Sequence, residues 1–478
     1  VKVLFSHSYF LQLDPKQVEH GKPYPPLGTL LAAALLRENG FAVSLFDTMF
    51  AHAPEELIPV LKSFKPDVFV IYDDGFNYLT KMCLSNMREA AFVMQQYARA
   101  YGCKVIVTSS DAADHYEKYM EHGADYVIAG EAEYTLLETV QLLETTQPAM
   151  DAVRGLIHRV ADAPRRNAPR PISRQLDELP LPAWDLVNIA PYKKVWLKKH
   201  GYFSINVATT RGCPYKCNWC AKPIYGNHYN MRSPEQVVKE ILHLKALFHM
   251  DHIWFCDDIF GLKRSWVADF AVQLHAANAV TPFKIQSRAD LLVQENYVAD
   301  LAGAGCEEVW MGAESGSQHI LDAMDKGITV EEIRRARQLL RQYNIRAAFF
   351  IQYGYLHETA ADIDQTLRLI RETLPDDIGI SVSYPLPGTK FYDKVKQDMR
   401  SKENWTDSDD LDLMYTNTYG SPFYKKLHRY THYVYRLEWL KQQGHTPATL
   451  LRTLKYQLLK QRFSRELRHL ATHKTDRI

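Results

Sequence analysis

The sequence predicts an α/β chain in three parts: an N-terminal doubly wound parallel sheet, a partial (β/α)6 barrel, and a helical C-terminal region. Three observations lead there. Short β-branched runs alternate with helical patterns over residues 1–145. A second alternation, six strand-like runs against six helix starts, fills residues 201–390. No strand pattern remains after about residue 390. Alternation of this kind argues for parallel sheets.

In the first part the strand runs are VKVLF (1–5), AVSLF (42–46), DVFVIY (67–72), KVIVTS (104–109) and DYVIAG (125–130). Between them lie PPLGTLLAAALLRENG, PEELIPVLKSF, the long LTKMCLSNMREAAFVMQQYARAYG and AEYTLLETVQLL, with Gly40 and Gly102 as helix stops. Ligands on such sheets sit at the carboxyl ends of the strands. The loops there are SHSYFLQLDPKQVEHGKPYP, YDDGFNY, SSDAAD and GEAE. Residues 146–200 are rich in Pro and Arg and read as a linker, with GLIHRV and PRPIS as short strands.

The second part has strands FSINVATT, HIWFCDD, FKIQSRAD, CEEVWMGAES, RAAFFIQYG and IGISVSYP. Helices are expected at or just after Ser233, Lys263, Gln294, Ser317, Thr329 and Thr359. SPEQ at 233–236 is near a capping box with Pro at the first helical position. In such barrels chemistry sits at the carboxyl ends of the strands. Those ends carry a cysteine loop, Asp257, Asp258, Arg288, Glu314, Ser315, Tyr353 and a PLPGT loop.

Composition bounds the class. The chain has 478 residues, room for about two to four domains. It is 46% hydrophobic and 24% charged, as in ordinary globular proteins. No apolar run approaches the ~20 residues of a membrane span. The opening VKVLFSHSYF reads as a strand, not a signal peptide, so a cytoplasmic location is expected. From Lys425 onward there are 13 Lys and Arg against 3 Asp and Glu, a basic tail on a mildly acidic body. In that tail Leu451, Leu454, Leu458, Leu459 and Phe463 fall near one helical face. That face either docks on the body or meets an anionic surface, either membrane headgroups or a phosphorylated substrate. No recognisable nucleic-acid module accompanies it, so a nucleic-acid partner is not expected.

Three of the seven cysteines lie within TTRGCPYKCNWCAKP (209–223): Cys213, Cys217 and Cys220. The others, Cys83, Cys103, Cys256 and Cys306, are scattered through apolar segments and read as core. A structural zinc site wants four ligands, and His228 as the fourth has an unusual spacing. A redox pair needs only CxxC. Three thiolates on one loop suit three irons of a 4Fe–4S cluster, with the fourth iron open for a small molecule.

CPYKCNWC resembles the CxxxCxΦC motif of the radical S-adenosylmethionine (SAM) superfamily, with Trp219 as the aromatic. The resemblance implies that the open iron chelates SAM, and that electron transfer into the sulfonium yields a 5′-deoxyadenosyl radical. It also implies SAM-binding roles for residues at the strand ends. Asp257 or Asp258 of CDDIFG would take the methionine amine, and Arg288 of SRAD the carboxylate. Glu314 and Ser315 of GAESGS would approach the ribose or methionine part, and YPLPGT (384–389) would back the adenine. An external one-electron reductant is a further implied partner.

PYPPLGTLLAAALLRENG, GADYVIAGEAE and LDELPLPAWDLV resemble the cobalamin-binding subgroup of that superfamily over roughly residues 1–420. The first domain would then hold cobalamin on its strand ends, with Ser109, Ser110, Gly130 and Glu131 as contacts. Two departures stand out. The DxHxxG motif is absent, since the first loop reads DPKQVEHG, and SSDAAD replaces a Gly-Gly-x-His turn. The implied reaction is methylation of an unactivated carbon in a small molecule or lipid. Alternatives are radical cyclisation, ring contraction or oxidation, and a non-radical iron–sulfur sensor or RNA-modifying module. No general acid–base residue is singled out. Tyr225, Tyr229, Tyr353 and Trp405 are candidates for an aromatic or lipid pocket.

Overall fold

Most of the β-branched runs of residues 1–145 become strands buried on both faces, with Ala42–Phe46 half-buried at the sheet edge. A computed structural model describes residues 1–73, 75–146, 148–220, 222, 224–443 and 446–472. Asp74 of the YDDGFNY loop and the last six residues of the basic tail lie outside the described residues. The chain divides into two units. One comprises residues 1–214, 222–258 and 404–410; the other comprises 215–221, 259–403 and 411–478.

In the first unit β1 (Lys2–Ser6), β2 (Ala42–Phe46), β3 (Val68–Tyr72), β4 (Lys104–Thr108) and β5 (Tyr126–Ile128) are parallel. The sheet order is β2-β1-β3-β4-β5, followed by β6 (Leu156–Val160) and β7 (Ala163–Arg166). β3 is central and wholly buried, and its residues alternate between two cores. Phe69 and Ile71 pack with Leu61, Phe92 and Met94. Val68, Val70 and Tyr72 pack with Ala33, Leu36 and Leu136 on the opposite face. Full burial of each such aliphatic side chain contributes roughly 1.5–3 kcal/mol. The doubly wound sheet is therefore as expected.

Three details differ from the sequence reading. The expected long helix breaks into Tyr78–Lys81 and Ser85–Ala100, with Cys83 between them at φ 55°. Residues 146–200 are partly ordered structure. β6 pairs antiparallel with β5 and with β7, and a helix runs Ala190–His200. PRPIS is not a strand; the second short strand is Ala163–Arg166. Local propensity at Pro-rich positions is weak, and pairing to the β5 edge decides the matter.

Further along the first unit, β8 (Ser204–Val207) pairs parallel with β11 (His252–Phe255). β9 (Thr210–Arg211) pairs antiparallel with β10 (Asn230–Met231). The second unit holds the parallel strands β12 (Phe283–Ser287), β13 (Cys306–Glu314), β14 (Arg346–Tyr353) and β15 (Asp377–Val382). Helices begin at Pro234, Arg264, Glu295, Gln318, Val330 and Ala360, as their capping residues predicted. Ser233 caps through its side chain alone, whereas Thr329 and Thr359 complete full capping boxes with Glu332 and Asp362. The second unit closes with the long helices Ser421–Gln442 and Pro447–Thr472.

Candidate functional site

The approach to the cysteine loop is built in the first unit. Asp257, just past β11, is buried and accepts four hydrogen bonds, from the backbone and hydroxyl of Thr209 (both 2.8 Å) and of Thr210 (2.6 and 2.9 Å). Burial pushes its carboxyl up to about 6 against the pull of those donors. Asp257 thus fixes the chain that leads into Cys213. Gly212 comes next, at φ +79°, and a Cβ there would collide with the His228 carbonyl. Only glycine fits that crossing. The Cys213 carbonyl accepts from Lys222 Nζ at 3.0 Å. Asp258 is ion-paired with Lys81 at 2.6 Å and keeps partial exposure.

The rest of the loop belongs to the second unit. Asn218, between Cys217 and Cys220, is 3% exposed. Its backbone N–H donates to Met324 O at 3.0 Å, and its carbonyl accepts from Phe391 N at 3.0 Å. Its amide donates to Ala323 O (2.8 Å) and Asp325 Oδ2 (3.1 Å) and accepts from Tyr355 OH (2.7 Å). The residues after the helix Gln318–Ala323 form a saddle under the loop.

The same saddle holds Arg288. Its Nη2 donates to Lys326 O at 2.8 Å, and Nε donates to Asp290 at 2.9 Å. Its guanidinium lies 3.6 Å from the Tyr215 ring centroid, and Nη1 reaches Cys217 Sγ at 3.7 Å. Lys326 Nζ donates to Glu314 Oε1 at 2.7 Å. Burial works against the Lys326 charge, but the Glu314 carboxylate and the Cys217 sulfur outweigh it, so its pKa is raised. Glu314 sits at φ 58° beyond a register shift in β13. Gly312 makes room for the pair, since a Cβ there would lie 2.6 Å from Lys326 Nζ. Two buried donors nearby in sequence, Trp219 Nε1 and Ser287 Oγ, have no hydrogen-bond partner among the described residues.

Other candidates are committed elsewhere. Ser315 bonds Thr366 Oγ1 at 3.0 Å and accepts from Ser317 N. Thr389 of the PLPGT loop caps the helix Lys390–Val395. Tyr353 and Trp405 are each 1% exposed and belong to cores, and Tyr225 packs on Arg211. Tyr229 is half-buried. Asn218, Tyr215 and Lys326 were not singled out from sequence. The signal for Asn218 was its place inside the motif; Lys326 had none, because its partners are distant in the chain.

No disulfide joins any of the seven cysteines among the described residues, and exposure divides them. Cys213, Cys217 and Cys220 are partly exposed, whereas Cys83, Cys103, Cys256 and Cys306 are buried. Among the described residues no three His, Cys, Asp or Glu side chains are drawn together as a metal-holding group, and His228 is exposed. Thiolates converge around the metal that neutralises them, so fit is judged on the donor set. Three accessible thiols, with a guanidinium and an ammonium to balance their charge at Cys217, fit an iron–sulfur cluster.

At the carboxyl end of the N-terminal sheet, Ser8 N and Oγ donate to Asp73 at 2.7 and 2.9 Å, across the β1–β3 switch point. Ser109 Oγ caps the next helix by accepting from Ala112 N, and Ser110 is 5% exposed. Glu131 is ion-paired with Arg211, which also bonds Glu133 at 2.7 Å. Gly130 adopts φ +90° with nothing within 4 Å of a would-be Cβ. The side chains of Ser109 and Glu131 are thus committed within the protein, while Gly130 leaves open space.

Residues 207–370 match the Radical SAM superfamily. That stretch carries the three-cysteine loop. The chain is 25% identical to an uncharacterised methyltransferase of Pyrococcus horikoshii, over 80% of this chain and 82% of that one. It is 26% identical to the anaerobic magnesium-protoporphyrin IX monomethyl ester cyclase of Rubrivivax gelatinosus, over 57% of this chain but only 49% of the cyclase. Its fold is that of the radical SAM methyltransferase TsrM of Kitasatospora setae, solved with cobalamin and a 4Fe–4S cluster bound. The TM-score is 0.68 at 17% identity, covering 83% of this chain and 74% of that one.

Proposed function

We propose that the protein is a cobalamin-dependent radical SAM methyltransferase acting on an unactivated carbon of a small molecule or lipid. The observation that carries this reading is the division of the cysteines, three accessible on one loop and four buried. The cluster supplies, when bound, the electron that cleaves SAM, and cobalamin supplies the methyl-carrying metal.

Cys213, Cys217 and Cys220 would hold the cluster. Asn218 holds the loop in register and Arg288 donates to the Cys217 sulfur. Asp257 positions the loop, so the methionine amine of SAM falls to Asp258, which can share its charge with Lys81. Trp219 Nε1 and Ser287 Oγ offer donors for a carboxylate or ribose. Glu314, Ser315 and Lys326 shape the floor through their own contacts. Ser109, Ser110, Gly130 and Glu131 form the rim offered to cobalamin. Electrons come from an external one-electron reductant.

Anaerobic reconstitution, absorption spectra and product masses test the reading. Methyl transfer predicts bound cobalamin with both S-adenosylhomocysteine and 5′-deoxyadenosine. Deoxyadenosine alone would move the assignment to cyclisation or oxidation. A sensor or RNA-modifying role predicts no SAM cleavage.

A further inference from the structure

The C-terminal helix Pro447–Thr472 has two unlike faces. Its inner face packs on the helix Ser421–Gln442. Phe463 and Leu467 are buried, and the Phe463 ring lies 5.2 Å from that of Tyr433. Tyr456 OH accepts from Arg436 at 3.3 Å. The outer face carries Leu450, Leu451, Leu454 and Leu458, which are 54, 70, 56 and 59% exposed. A leucine face docked on the body was one expectation from the sequence, and the structure overturns it for Leu451, Leu454 and Leu458.

At 3.6 residues per turn the four leucines fall within an arc of about 100°. Continued toward the C-terminus, the same arc carries Arg465 and Arg468, with Lys455 and Arg462 at its edge. The helix holds six Lys and Arg and one acidic residue, Glu466. Glu466 is already ion-paired with Lys426, and with Arg462 at 2.9 Å. Lys455 and Arg465 have no ion-pair partner among the described residues. Apolar side chains beside unneutralised cations are the chemistry of an interfacial helix.

We propose that this outer face seats on an anionic lipid surface. The leucines enter the headgroup–acyl boundary, and Lys455, Arg465 and Arg468 meet lipid phosphates. No described helix is long and apolar enough to cross a membrane, so the contact is lateral. A second copy of the chain fits less well. Leu451, Leu454 and Leu458 follow a coiled-coil spacing, but the next seam positions are Gln461 and Arg465. Parallel pairing would set Arg465 against Arg465, and antiparallel pairing would lay arginine on leucine. An anionic surface complements both halves of the face.

The test is sedimentation of the full chain with vesicles of phosphatidylcholine, with and without about one-third phosphatidylglycerol. Membrane seating is independent of the cluster chemistry, and binding, not turnover, is read. The wild type should bind anionic vesicles at least about tenfold more tightly than neutral ones, and less tightly as salt rises. L454D/L458D and R465E/R468E should each weaken that binding at least about tenfold, with circular dichroism and melting unchanged. Absence of binding to anionic vesicles, or binding unchanged in both variants, overturns the assignment. So does a dimer by light scattering that L454D/L458D converts to monomer without affecting vesicle binding.

Discussion

Arg288 Nη1 lies 3.7 Å from Cys217 Sγ, with the guanidinium clamped by Asp290, by Lys326 O and by the face of Tyr215. A fixed cation at a ligating thiolate stabilises the more negative, reduced cluster. Arg288→Ala should therefore lower the midpoint potential of the reconstituted cluster, by about 40–90 mV if one to two kcal/mol of interaction is lost. Arg288→Lys keeps the charge but not the planar stack and should shift it less. Potentiometry followed by electron paramagnetic resonance reads both. An unchanged potential in Arg288→Ala would remove Arg288 from this role.

Asn218 ties the middle of the loop to three partners through one amide. Asn218→Ala leaves the Ala323 carbonyl and Tyr355 hydroxyl with fewer contacts at a site 3% exposed. It should cost about 1–3 kcal/mol of stability. More telling, iron retained after reconstitution should fall, because Cys217 and Cys220 lose their common anchor. Cys217→Ala should lose the cluster outright, whereas Cys103→Ala, in the buried set, should keep its iron.

Asp257 offers a sharper test of position against direct binding. Its carboxylate faces four donors, and an amide cannot accept from all of them. Asp257→Asn should cost about 2–3 kcal/mol and disorder the start of the cysteine loop. A residue that only bound SAM would instead raise the apparent SAM Kd and leave the melting temperature unchanged.

What was legible in the sequence was local chemistry. Thr329 and Thr359 announce their helices because capping involves residues three apart. The alternation of β3 between two cores follows from a period of two. The three cysteines needed only eight residues to be seen. The pairing of the acids was hidden for the opposite reason. Glu131 and Asp257 stand at strand ends, where a free carboxylate would suit a ligand. Their partners, Arg211 and Thr209–Thr210, lie 80 and about 48 residues away. Nothing in the sequence distinguishes an acid already paired across a fold from one left for substrate.

Glu358 gives a prediction in pH. It follows β14, is fully buried, and accepts from Gly354 N at 2.8 Å. Its second oxygen has no partner among the described residues. Burial, with the nearby Asp362 charge adding to it, pushes the carboxyl from 4.5 up to about 8. The folded state therefore holds a proton that the unfolded chain releases. That contribution is full below about pH 4.5 and is lost progressively as pH rises through about 8. Glu358→Gln keeps the acceptor for Gly354 and removes the titration. At pH 5 the variant and wild type should have similar urea midpoints. At pH 9 the variant should be the more stable, by up to about 4 kcal/mol. Parallel stability curves for the two proteins between pH 5 and 9 would mean that Glu358 is ionised in the fold and that water reaches it.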